Sequence, residues 1–197
     1  MSKATTAQLN SLAVPASPAQ AWLRSAGIVL AGSALVALCA RVSLPLYFTP
    51  VPLSLQPFAV LLLGLLLSPR MAAATLGAYL LEGAIGLPVF APSPLSGLAH
   101  LLGPTGGYLL SYPIAAPLIS FLYRRSRRGF AMAAVAAGIG SLVTLACGAL
   151  WFTVLTHGSL SIVLAQTVVP FLPGDALKVA AAAGIAAGVA GVRRQRG

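Results

Sequence analysis

Acidic residues are almost missing from this chain: two stand against twelve lysines and arginines in 197 positions. Charge of either sign is scarce, at 7% of residues, where a soluble domain carries roughly 25%. So few polar side chains cannot cover the water-facing surface of a globule this size. A bilayer as solvent removes that requirement, and one membrane domain is the natural count. Cysteine is sparse too. Cys39 and Cys147 lie in separate apolar runs without ligand spacing, so they read as small hydrophobes, and no metal site is implied. Also absent are a Gly-Lys-Ser/Thr phosphate loop, H-E-x-x-H, G-x-S-x-G and paired catalytic carboxylates. The residues describe neither an enzyme of those classes nor a self-contained nucleotide-driven motor, and they imply no cofactor.

What is abundant is apolar length. Segments at about 25–46, 51–69, 71–90, 105–123, 130–155 and 174–192 are hydrophobic, and roughly 20 such residues cross the hydrocarbon. The second contains Pro52 and Pro57, so its helical part is expected to begin near Pro57, where a missing N–H costs nothing. Arg24 and Leu38-Cys39-Ala40 give the first segment some likeness to a cleaved leader. Leu38 is too large for a cleavage position, so a retained helix is expected. Residues 1–22, rich in Ala, Ser, Thr, Gln and Pro, read as a disordered cytoplasmic tail, and 23–197 as the membrane domain.

The bases fall in clusters between the apolar runs. With the N-terminus inside, Lys3, Arg24, Arg70, Arg124, Arg125, Arg127, Arg128, Arg193, Arg194 and Arg196 share the inner side, and Arg41 stands alone outside. Cytoplasmic loops accumulate Lys and Arg in this way. The expected architecture is an all-α bundle of six transmembrane helices with both termini cytoplasmic. Outer loops are then 88–104 and 156–173. The same clustering argues against nucleic acid, since no aromatic residues interleave the bases as a stacking platform requires. Gly184 with Gly188, and Gly140, Thr144 and Gly148, repeat at four-residue spacing and are expected to pack helices closely.

The two acids are then the informative residues. Asp175 lies in the first turn of the sixth segment, with Lys178 three residues on and on the same helical face. Each would cost about 2.5–3.5 kcal/mol near the bilayer centre, so they either pair with each other or face a polar cavity holding a solute. Glu82 lies near the outer end of the third segment, three residues after Tyr79; it is either an interfacial carboxylate or part of the same cavity. Gly103-Pro-Thr-Gly-Gly-Tyr108 opens the fourth segment, and glycine permits close backbone approach. His100 and His157 read as loop histidines in water, and Arg41 as an interfacial anchor.

Gly86-Leu-Pro-Val-Phe90, Gly103-Pro-Thr-Gly-Gly-Tyr108, Pro170-Phe-Leu-Pro-Gly-Asp175 with Lys178, and Val51-Pro-Leu-Ser-Leu-Gln56 together resemble the recurring motifs of the BioY family, across roughly residues 25–192. The resemblance implies a six-helix S component of an energy-coupling-factor transporter in the bacterial plasma membrane, binding biotin near its outer face. Its implied partners are a transmembrane coupling protein and two cytoplasmic ATPases. The A-x-x-x-A docking motif common in the first helix of S components has no strict copy here; Gly27/Ala31 and Ser33/Ala37 stand in its place. On this resemblance, Gln56, Tyr79, Glu82, Phe90, Tyr108, Asp175 and Lys178 are the expected substrate-binding residues. An acidic group can accept from a ureido N–H, an ammonium can donate to the carbonyl or the carboxylate tail, and an amide can do either. Aromatic residues would pack the rings. The alternatives are an S component for thiamine or riboflavin, or a proton-coupled carrier using Glu82.

Overall fold

A computed structural model describes residues 17–195. Helix α1 (Pro18–Arg41) leads into a hairpin of strands β1 (Ser43–Leu46) and β2 (Thr49–Ser54). Helices α2 (Gln56–Leu66), α3 (Pro69–Ala84), the short α4 (Gly97–Leu101), α5 (Gly106–Arg124) and α6 (Phe130–Thr156) follow. Helix α7 (Leu160–Thr167), a 3-10 turn (Val169–Phe171) and α8 (Leu172–Gln195) complete the described chain.

The first helix starts earlier than expected. Ser17 accepts from the Gln20 N–H while the Gln20 side chain reaches back to the Ser17 N–H, and Pro18 occupies the first helical position. That reciprocal cap is a strong helix start, so residues 18–22 are helical where a tail was expected. Residues 1–16 of that tail lie outside the described residues. The same helix stops at Arg41, short of the expected Leu46, because Pro45 cannot continue it and disfavours helical geometry before it.

The chain then departs from an all-α design. Ser43 pairs with Ser54, Leu44 with Leu53 and Leu46 with Thr49, across a tip formed by Tyr47 and Phe48. Pro45, Pro50 and Pro52 remove ladder donors and suit a ribbon with open edges on both sides. A non-helical stretch at membrane depth survives only where it is covered by protein or lines a cavity.

Helix α2 is the centre of the bundle. Every residue from Ala59 to Leu65 is buried, which explains why it is apolar all round. One side of it joins Val36, Leu76, Tyr79, Tyr112 and Ala116 in one core. Its other side joins Ile119, Tyr123, Ala133, Ala137, Ala183 and Ala186 in a second. Around it pack α1, α3, α5, α6 and α8. Leu30, Leu38, Ile114, Leu142, Leu150 and Leu177 point outward and exposed, as lipid-facing side chains do.

Of the four-residue repeats, the one in α6 packs as expected. Gly140 lies against Ile119 and Gly148 against the Tyr108 ring, so a side chain at either would collide with α5. Gly184 and Gly188 instead have no neighbour near their missing Cβ positions, because α8 turns Ala182, Ala183 and Ala186 to the core. By length and composition, three stretches among the described residues can cross a membrane: Pro18–Arg41, Phe130–Thr156 and Leu160–Val192. The last is interrupted by the 3-10 turn.

Candidate functional site

Three helices begin at one place. The first turns of α2, α5 and α8 surround a cavity of about 290 Å³, roofed by the hairpin and the proline-rich segment 91–95. Its size is at the small end of ligand pockets, roughly 300–1,000 Å³. Five of the twelve roof residues are prolines (Pro45, Pro50, Pro52, Pro92, Pro94), which have no N–H to donate. The charged groups come from the helices below.

Asp175 and Lys178 form an ion pair on α8, Nζ to Oδ1 2.9 Å, with both side chains about nine-tenths buried (11% and 10% exposed). Ser141 of α6 donates to the other carboxylate oxygen at 2.9 Å. The pair is thus positioned from two helices. It is not saturated: each carboxylate oxygen keeps a lone pair, and the ammonium keeps two N–H donors. Gln56 lines the same cavity; it is 3% exposed, and its Nε2 has no hydrogen-bond partner. A buried donor left unpaired costs roughly 1–3 kcal/mol, so the amide gains by meeting an acceptor.

The glycine-rich opening of α5 is what brings Tyr108 into this group. Gly107 packs directly on Trp151 and the Cys147 carbonyl of α6, where a Cβ has no room. Trp151 Nε1 donates to the Gly103 carbonyl at 2.9 Å, closing the same contact. The Tyr108 hydroxyl donates to the Thr167 carbonyl at 2.5 Å and ties α5 to the end of α7. Its ring, 6.5 Å from that of Phe171, gives the cavity an aromatic wall that Tyr112 extends one turn on.

Comparison with known proteins places this arrangement. The sequence pattern of the BioY family matches residues 6–195. The chain belongs to the BioY family. Among its relatives, the probable biotin transporter BioY of Pyrococcus horikoshii is 39% identical over 137 residues, covering 70% of this chain and 79% of that protein. The biotin transporter BioY of Thermotoga maritima is 36% identical over 156 residues, 78% and 88% of the two chains. The crystal structure of the S component for biotin from an ECF-type ABC transporter superposes with a TM-score of 0.78 at 26% identity. That match covers 88% of this chain and 93% of the other.

Within this BioY chain, Gln56, Tyr108, Asp175 and Lys178 line the cavity, while Tyr79, Glu82 and Phe90 do not. Tyr79 is fully buried behind the wall; its hydroxyl donates to the Val89 carbonyl at 3.1 Å and its ring meets Phe90 edge-on at 5.4 Å. Phe90 packs in turn on His100 at 4.9 Å. Glu82 accepts a hydrogen bond from Ser33 of α1 and joins α1 to α3 instead of facing the cavity. His100, expected in water, is 5% exposed and lines the cavity, with Nδ1–H donating to the Leu95 carbonyl at 3.2 Å. Sequence reasoning also missed Tyr112 and Thr144 as lining residues. Tyr112 had a signal: it follows Tyr108 by four positions, on the same face of one helix.

Proposed function

We propose that this chain is the substrate-capture S component of an ECF-type vitamin importer, binding biotin in the cavity between α2, α5 and α8. The observation that carries this reading is the meeting of Asp175, Lys178 and the unpartnered Gln56 amide in one largely apolar cavity of a BioY chain. Biotin combines an apolar bicycle, a ureido group with two N–H donors and one carbonyl, and a carboxylate tail. Asp175 accepts from a ureido N–H, Lys178 donates to the carbonyl or the tail, and Gln56 supplies a further donor. Tyr108 packs against the bicycle. Exclusion of water by the hairpin roof strengthens each of these bonds.

In this reading α1, α2, α3, α5, α6 and α8 are the six spans, in the bacterial plasma membrane with both termini in the cytoplasm. The clustering of bases at the ends of α5 and α8 away from the cavity supports that orientation. In the same reading, a coupling protein and two ATPases supply the energy for uphill uptake.

The test is equilibrium binding of labelled biotin to the purified protein in detergent, competed with thiamine and riboflavin. Saturable binding that neither competitor displaces is the expected result. A folded, monodisperse sample that binds no biotin, or releases it to either competitor, overturns the assignment.

A further inference from the structure

A second cavity lies at the opposite end of the same three helices. Where α2, α5 and α8 finish, Leu66, Tyr123, Arg124, Arg128, Val189 and Ala190 are among the residues around a space of about 190 Å³. One side of it is cationic. The Arg124 Nε donates at 3.3 Å to the Leu67 carbonyl, which also accepts from Ser120 Oγ at 2.6 Å, and this leaves the two terminal N–H₂ groups of the guanidinium as donors. Arg128 is held beside it by its backbone. Its φ is +51°, a left-handed conformation uncommon for a residue with a side chain. Two bonds keep it there: the Tyr123 hydroxyl donates to the Arg128 carbonyl at 2.9 Å, and the Arg128 N–H donates to Ser126 Oγ at 3.3 Å.

No acidic side chain of the chain can neutralise this pair. Asp175 sits at the beginning of α8, bound to Lys178 and Ser141, and Glu82 is engaged by Ser33 near the other end of the bundle. Both guanidiniums are exposed, so an anion from the membrane surface can reach them. Tyr123 aside, the remaining wall is aliphatic and includes one side of α8, on which Ile185 and Val192 are exposed. A guanidinium fork matches phosphate geometry, and basic pockets between helices at the cytoplasmic face suit acidic headgroups.

We propose that this cavity binds an anionic phospholipid, its phosphate between Arg124 and Arg128 and the start of an acyl chain along Leu66, Val189 and Ala190. The site is independent of the solute held in the other cavity. Occupied, it supplies the missing anion and fastens the ends of α2, α5 and α8 to one another.

The experiment is native mass spectrometry of the purified protein in mild detergent, offered equal amounts of dioleoyl phosphatidylglycerol and dioleoyl phosphatidylcholine. At a membrane surface each basic side chain gives severalfold in affinity, so the two arginines together predict about thirtyfold preference for phosphatidylglycerol. R124Q/R128Q is expected to bind both lipids equally, while the charge-matched R125Q/R127Q keeps most of the preference. A large excess of inorganic phosphate is expected to leave the bound lipid in place. Three results overturn the proposal: no preference in the wild type, equal loss in R125Q/R127Q, or displacement by phosphate. If R124Q/R128Q does not elute as folded, monodisperse protein, R128Q alone carries the test, with about a fivefold loss expected and no loss overturning it.

Discussion

Replacing Asp175 by Asn removes one half of an ion pair whose partners are each about 90% buried, and strands the Lys178 ammonium. Breaking such a pair from one side costs roughly 3–5 kcal/mol, whereas replacing both partners with neutral groups of similar volume is often close to neutral. D175N and K178M should therefore each lower thermal stability clearly, and D175N/K178M should recover much of that loss. Ligand affinity should behave differently. A hydrogen bond to a charged group contributes roughly 1.5–3 kcal/mol, or about a 10- to 150-fold change in Kd, and the double variant restores no donor or acceptor. The assay is a double-mutant cycle read twice on the same samples, by thermal unfolding in detergent and by biotin titration. Recovery of stability without recovery of affinity is the expected pattern. Wild-type affinity in D175N/K178M would mean that the pair only holds α8 in place, and the proposed binding role would fail.

Other substitutions separate the cavity from its supports. Gln56→Leu should weaken biotin binding by about tenfold or more while leaving the ligand-free protein as stable or slightly more stable, since it removes an unpaired buried donor; differential scanning fluorimetry with and without biotin reads both effects. Glu82→Gln keeps an acceptor for Ser33 outside the cavity, so biotin affinity should stay within about twofold, and a large loss in titration would place Glu82 in the site after all. Gly148→Ala forces a methyl into the Tyr108 ring and should cost about 1–3 kcal/mol by overpacking, with loss of affinity through displaced Tyr108. Gly184→Ala with Gly188→Ala meets open space and should leave the melting temperature unchanged or raised, each exchange being worth up to about 1 kcal/mol in a helix.

The helices were legible because long apolar runs leave little choice of structure in lipid. Asp175 and Lys178 stood out for a related reason, since polar side chains in apolar helices are expensive; Gln56 came from the family resemblance, and all three share a cavity. Glu82 is just as rare, yet it faces α1 through Ser33. Rarity reveals that a polar group must find a partner, not which neighbour supplies it. A helix apolar on all sides carries no stripe from which its rotation can be read, so Tyr79 could not be told from a cavity residue. The hairpin was hidden differently. Val51-Pro-Leu-Ser-Leu-Gln56 drew attention as a motif, and Pro52 and Pro57 marked where the next helix begins, but strand pairing between Leu44 and Leu53 depends on a fold around it. His100 was placed in water because its loop has no periodicity; the short α4 turns it inward against Phe90.

The length of α2 has a volumetric consequence. Eleven residues make about 16 Å of helix, and the hydrocarbon is about 30 Å thick, so about 14 Å of a cylinder about 10 Å across is missing. That is a deficit on the order of 1,000 Å³ by the same dimensions. The hairpin, flatter than a helix, fills part of it, and the 290 Å³ cavity is within the remainder. In the proposed six-span arrangement, the room for a solute is thus the shortfall of one span.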